Sequence, residues 1–380
     1  MVKTIYLDNA ATTLVDKRVI DAMLPYFSEK YGNASSQHIL GLEAKRALEQ
    51  SRDVIAKSIG AKSEEIVFTS GGTEANNFAL KGIIWSSGKN HIITTRIEHD
   101  CILNSCKWLE KQGVKVTYLD VNYEGFVNPK EIEKAITKDT AIVSVIHGNN
   151  EIRTIQNLEE IGKICKERGV LFHTDACQSY TKVPINVKKQ NLDLVTLNAH
   201  KIHGPKGVGA LYIREGIDIT PLVHGGGQEK KLRSGTENIA GIVGFAAAVR
   251  LTRDKDVRKI KELRDKLIEG ILKIENTKLN GSRINRLCNN VNICFNNIEG
   301  ESIGGYLDAY GICISTGSAC SSQSLEPSHV LKAIGLTPLE ANSSIRLSLS
   351  RDTSSEEIEK VLKVLPKIID KLRRISPISI

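Results

Sequence analysis

The chain has 380 residues, 41% apolar and 25% charged, and a net charge of +8. That length suits one large domain plus a smaller one, and the composition is that of an ordinary globular protein, which excludes a disordered, fibrous or membrane-embedded chain. No stretch approaches the ~20 apolar residues of a membrane span and MVKTIYLDNAATT has no apolar leader, so a cytoplasmic protein without a membrane partner is expected. The eight cysteines form no CxxC pair, which argues for a reducing compartment and against disulfides or a resident metal cluster. The positive charge falls largely on helical faces such as KDVRKIKELRDK, a solvated surface that requires no nucleic acid.

In chain order, short apolar runs alternate with amphipathic ones from about residue 50 to 215. EIVFTS, NHIITTR, KVTYLDV, TAIVSVIH, GVLFHTDA, LDLVTLNA and GALYI read as buried strands. ALKGIIWSSG, CILNSCKWLEKQG, NPKEIEKAITK and NLEEIGKICKERG carry helical periodicity between them. The alternation predicts an α/β fold with a mainly parallel sheet and crossover helices. ENIAGIVGFAAAVRLTRDKDVRKIKELRDKLIEGILKI then reads as one long helix, followed by short strands, a Gly/Ser-rich loop and a terminal helix. The change of rhythm near residue 253 predicts a large domain over 15–253 and a smaller α+β domain from 1–14 with 254–380.

TSGGTEANNFALKG places a small-residue turn between a strand ending at Thr69 and a helix opening near Glu74. Free N–H groups and the Thr73 hydroxyl there suit a phosphate, although a plain turn with Thr73 as N-cap reads equally well. Neither GxxxxGK[ST] nor GxGxxG occurs, so neither a nucleoside triphosphate nor a dinucleotide is the obvious donor. In FHTDACQSY, Asp175 closes an apolar strand, where a carboxylate is costly unless a cation or a protonated nitrogen meets it. The pyridinium nitrogen of pyridoxal phosphate is such a partner; otherwise Asp175 is a loop cap. NAHKIHGPKGVGALYI then brings Lys201 to a strand end as a candidate Schiff-base lysine. An isolated lysine would be a surface charge, but the order of phosphate turn, Asp and Lys favours the chemical role.

His99 in RIEHDCILN follows a strand and can stack on a cofactor ring and pass protons, or simply be structural. Cys320 lies in STGSACSSQSLEPSH, a run too polar and small to make a core, so its thiol is the candidate nucleophile among the eight. Arg346 in SSIRLSLSR has a fork suited to a substrate α-carboxylate, or sits at a strand edge on the surface.

These residues lie within motifs that run nearly end to end: YLDNAATT, YGNASSQH, TSGGTEANN, EHDCIL, NNEIRTIQ, HTDACQ, AHKIHGPKG, HGGGQEKKLRSGTEN, STGSACSS, LEPSHVL and SSIRLSLSR. In this order they resemble the NifS/IscS-type cysteine desulfurases of the class-V aminotransferase family, with the longer Cys320 loop of that branch. The resemblance implies the aspartate-aminotransferase-like fold type I of pyridoxal-phosphate enzymes and a homodimer with active sites at the subunit interface. It implies that Lys201 holds the cofactor, Asp175 meets its ring nitrogen, Gln178 and Asn150 meet its phenolic oxygen, and His99 stacks on the ring. Gly72, Thr73, Asn198 and His200 would hold the phosphate, with Thr236 from the partner subunit. Arg346, beside Asn150, would bind the carboxylate of L-cysteine, and Cys320 would take its sulfur, leaving alanine and a persulfide. The sulfur would pass to an acceptor protein, foremost an iron–sulfur scaffold; no metal is expected in the resting enzyme, with Cys320 a transient cluster ligand at most.

Three positions depart from the family pattern. Asn198 replaces Ser, which predicts rearranged phosphate contacts through an amide. Arg153 replaces Gly after NNEI: a positive φ there would be strained by a long side chain, and a cleft-facing charge would alter selection. Ala34 replaces Pro without evident consequence. The alternatives are a selenocysteine lyase, another fold-type-I enzyme, or a non-catalytic platform with an altered cofactor site; Cys320 argues against a plain aminotransferase.

Overall fold

A computed structural model describes residues 4–316 and 326–375. Cys320 therefore lies outside the described residues. After a short β1 (Ile5–Tyr6) come seven strands of one sheet: β2 (Ile66–Thr69), β3 (His91–Thr95), β4 (Lys115–Leu119), β5 (Thr140–Ser144), β6 (Leu171–Asp175), β7 (Leu194–Asn198) and β8 (Gly209–Ile213). All seven coincide with the apolar runs expected to be strands. Their order is β2-β8-β7-β6-β5-β3-β4. Every pairing is parallel except those of β8 with β2 and β7. Residues 199–208 are too short for a helical crossover, so β8 must return antiparallel to β7.

Alternation along the strands sends side chains into two layers. Ile66 and Phe68 pack with Leu48, Ile55 and Phe245 on one face. Val67, between them, packs with Phe78, Ile83 and Ile102 on the other. The helices Ile39–Ser58, Leu158–Glu167 and Ile239–Arg250 cover the first face, and Gly72–Ser87 and Asp100–Glu110 the second.

The expected long helix after residue 237 is instead two, Ile239–Arg250 and Asp254–Ile271. Arg253 is extended (φ −138°) and breaks the run, and the two helices bury their apolar residues in different clusters, a division that periodicity alone does not reveal. Beyond them lie β9 (Thr277–Leu279), β10 (Asn290–Phe295), β11 (Ile312–Cys313) and β12 (Ser344–Ser348). β12-β10-β9 form an antiparallel sheet, while β11 pairs with β1. Leu267, Ile293, Ile345 and Ile358 share a core with Ile5 and Leu7, so the chain's start packs with its last third. Among the described residues no helix is long and apolar enough to cross a membrane.

Candidate active site

A cavity of about 240 Å³ opens at the C-terminal ends of the parallel strands. Such sheet ends collect ligands because the connecting loops and helix N-termini converge there. Its wall holds Gly72, Thr73, His99, Asn150, Asp175, Gln178, Asn198, His200 and Lys201, nine of the residues singled out in the sequence.

Gly72 opens the helix Gly72–Ser87, with Gly71 as an N-cap lacking a side chain. The helix thus begins two residues earlier than expected, and Thr73 lies inside its first turn rather than capping it. Its N-terminal N–H groups are left open to an anion, since no side chain caps them. A Cβ on Gly72 would fall 2.5 Å from Cys177 Sγ and 3.7 Å from Asn198 Nδ2, so only glycine leaves this cradle open. His200 is held by the N-terminal segment: its carbonyl accepts from the Thr13 N–H and hydroxyl, and its Nδ1 meets Thr12 Oγ1 at 3.2 Å.

Asp175 ends β6, fully enclosed. Its Oδ2 accepts from Asn76 Nδ2 at 2.7 Å and its Oδ1 from the Cys177 N–H at 2.8 Å. Burial alone would raise its pKa, but His99 and these hydrogen bonds outweigh burial and hold it below the ordinary value. Lys201 follows β7 by three residues, and burial pulls its amine below the usual lysine range. A less protonated amine is a better nucleophile toward a carbonyl. His99 caps the helix Asp100–Glu110, its Nδ1 accepting from the Cys101 N–H at 3.2 Å. That bond leaves Nε2 as the proton-bearing edge, and burial keeps the ring neutral to lower pH.

Arg346, on β12, is buried rather than at an exposed edge; it donates to the Asn150 carbonyl and to Asp8, both at 3.0 Å, and among the described residues its Nε has no hydrogen-bond partner. Arg153 does adopt a positive φ, +65°, and is fully buried. It does not line the cavity; its Nη1 donates to Gln178 Oε1. Thr236 stands apart, exposed, on a second cavity with Ser70 and Arg233. Sequence reasoning missed Asn76, Cys101 and Cys177 in the cavity wall, although Asn76 follows Thr73 by three helical positions and Cys177 follows Asp175 by two.

The wall fits pyridoxal phosphate. Among the described residues the buried amide oxygens of Asn76, Asn150 and Asn198 have no hydrogen-bond partner, a cost that a ligand or water offering a donor removes. The uncapped helix start suits the phosphate, Asp175 a protonated ring nitrogen, and Lys201 the aldehyde carbon.

Residues 5–361 match the model of the aminotransferase class-V family. A cysteine desulfurase IscS of Dictyoglomus turgidum is 52% identical, covering 99% of this chain and 97% of its own length. Among solved structures, a NifS-like protein superposes with a TM-score of 0.91 at 39% identity, covering 97% of this chain and all of its own. SspA in complex with cysteine gives a TM-score of 0.84 at 39% identity over 92% of this chain and all of its own.

Proposed function

The chain belongs to the NifS/IscS-type cysteine desulfurases of the class-V aminotransferase family, enzymes of fold type I that use pyridoxal phosphate, and from that premise we propose how its residues remove sulfur from L-cysteine. The observation that carries the reading is the convergence of Lys201, Asp175 and His99 on one cavity with Gly72 and Thr73 at a helix start. Bound pyridoxal phosphate supplies an electron sink for the bonds at Cα. Lys201 would hold it through its amine and, as a free amine, would move the Cα proton of the substrate. Asp175, held ionised, would face the ring nitrogen, Gln178 and Asn150 would present amides to the phenolic oxygen, and His99 would stack on the ring with Nε2 carrying a proton it can donate. Gly72, Thr73, Asn198 and His200 hold the phosphate. Arg346 binds the substrate carboxylate; its Nε, without a hydrogen-bond partner among the described residues, supports this role.

The Cys320 thiolate attacks the substrate sulfur. A sulfur–sulfur bond forms, the carbon–sulfur bond breaks toward carbon, and alanine leaves with a persulfide on Cys320. An acceptor protein, foremost a scaffold for iron–sulfur clusters in the cytoplasm, then takes the outer sulfur. The protein acts as a homodimer, a reading supported by the exposed apolar side chains Leu14, Leu24, Phe27, Tyr31, Ile39 and Leu42 along one N-terminal stretch, which interfaces of this kind cover. Thr236, exposed and apart from its own cavity, completes the phosphate site of the second subunit. The separate core that Ile5 and Leu7 share with residues beyond 254 supports a division into 15–253 and 1–14 with 254–380.

Purified protein is expected to be yellow and to release alanine and sulfide from L-cysteine in the presence of a thiol reductant. Lys201→Ala abolishes turnover, whereas Cys320→Ser keeps the cofactor and loses the persulfide. A colourless protein, or a Cys320→Ser variant with full activity, would overturn this reading.

A further inference from the structure

Arg153 is held where a long charged side chain is expensive. Its turn is constrained on both sides: Asn149 Oδ1 accepts from the N–H groups of Glu151 and Ile152 at 2.8 and 2.9 Å, and the Arg153 carbonyl accepts from Leu287 N at 2.9 Å. These bonds leave position 153 at φ +65°, where glycine is at ease and arginine is strained by about 1 kcal/mol or more. The guanidinium is fully buried, and among the described residues its Nε and Nη2 have no hydrogen-bond partner. Its single bond runs from Nη1 to Gln178 Oε1.

The charged groups that act on it are Arg346 on β12, Asp8 after β1, and Arg286 and Cys288 before β10; Lys182 and Lys201 in turn feel its charge. Asp8 already pairs with Arg346. Burial first, then Arg346, pushes the Arg153 pKa well down, and among the described residues no carboxylate is paired with its cation. An unpaired buried cation is stabilised when a ligand brings negative charge within its reach.

Gln178 is the route to that ligand. It lines the cavity, its Nε2 donates to the Ala10 carbonyl at 3.0 Å, and a carboxamide nitrogen carries a second hydrogen. With Oε1 turned toward Arg153, the amide is oriented so that its second N–H is the group it can offer the cavity.

We propose that Arg153 is a positioning residue for the cofactor, locking Gln178 as a hydrogen-bond donor to the phenolic oxygen and adding a buried positive charge behind it. This rests on the reading that places Gln178 against that oxygen. A donor backed by a cation stabilises the phenolate, and a cation nearby disfavours a proton on the neighbouring nitrogen that joins the cofactor to Lys201. Asp175, Cys177 and Arg346 also act on Lys201 and remain in place when Arg153 is replaced. The chain thereby keeps the linking nitrogen unprotonated to lower pH than a relative with glycine at this position.

The test is the absorbance of the reconstituted holoenzyme against pH, which reads protonation of that nitrogen and not turnover. Arg153→Met and Arg153→Gly are expected to raise the midpoint by about one pH unit, roughly tenfold in proton affinity. Arg153→Lys, which keeps the charge, recovers part of the shift. Gln178→Leu also raises the midpoint, and adding Arg153→Met to it then moves the midpoint less than in the wild-type background. Should the methionine variant not fold, the glycine variant decides, because the backbone at φ +65° accepts glycine without strain. Arg153→Gly protein that binds cofactor with an unmoved midpoint overturns the proposal. Wild-type protein that yields no borohydride-trapped adduct on Lys201 overturns the cofactor placement itself, and this inference with it.

Discussion

Asn76 Nδ2 donates to Asp175 Oδ2 at 2.7 Å, tying the first turns of the helix Gly72–Ser87 to the carboxylate that ends β6. The bond joins the two halves of the site, the helix start that suits a phosphate and the acid that suits a ring nitrogen. It also satisfies one oxygen of a buried carboxylate that would otherwise lie against apolar strand ends.

Asn76→Ala should therefore cost about 1.5–3 kcal/mol of stability in urea denaturation of the protein without cofactor, the range for a hydrogen bond to a charged group. Asp175, with a smaller counterweight to its burial, should also protonate at higher pH. A loss below 0.5 kcal/mol would show that the bond is dispensable.

Gly72→Ala should weaken cofactor binding, because the new methyl group meets Cys177 Sγ at 2.5 Å and something must move. Overpacking of this kind costs about 1–3 kcal/mol. Adding Cys177→Ala removes the sulfur and should restore most of the affinity, as read by cofactor titration. A double variant no better than Gly72→Ala would place the conflict elsewhere.

Glu98 should make stability fall as pH rises. Burial pushes its carboxyl up to about 8, while its Oε1 accepts from Thr95 Oγ1 and the Ile146 N–H. The folded protein thus binds this proton more tightly than the unfolded chain, whose glutamate titrates near 4.5. The stabilisation is fully present below that value and is lost as pH climbs through about 8, up to a few kcal/mol. Thermal melts between pH 5 and 9 should show a smaller decline for Glu98→Gln than for the wild type.

Arg52→Met should destabilise by about 3–5 kcal/mol, since it strands a buried carboxylate. Arg52 grips Glu229 with two bonds at 2.7 and 2.8 Å and donates to the Ile66 carbonyl, while Glu229 accepts from the Phe68 N–H. This pair anchors the loop that carries Thr236 to β2. Removing both charges in Arg52→Met/Glu229→Met should cost less than removing one, a comparison that denaturation of the three proteins settles.

Periodicity was sufficient for the seven strands of the large sheet and the helices between them. Six of the strands are short, largely buried apolar runs, the edge strand β4 still carries apolar residues at alternate positions, and the helices bury an apolar stripe. It was insufficient at Arg253, where one amphipathic pattern hides a break between helices that pack in different cores. The site was legible where chemistry departs from what a core tolerates: an acid at a strand end, a lysine after the next, glycine at a helix start. Asn76 and Cys177 were not, since an amide on a helix and a thiol in an apolar stretch are ordinary residues until folding sets them beside Asp175 and Gly72.

From the order of its residues alone, the chain determined its α/β class, its family and most of the polar residues that line the cavity. Those properties depend on residue type and local spacing. Tertiary structure decided the rest: that Arg346 is buried against Asp8 and Asn150, and that Arg153 turns onto Gln178 instead of into the cavity. Position 153 could be marked in the sequence as unusual, but its partner is 25 residues away. Only the packing of the turn after β5 against the segment after β6 brings the two together.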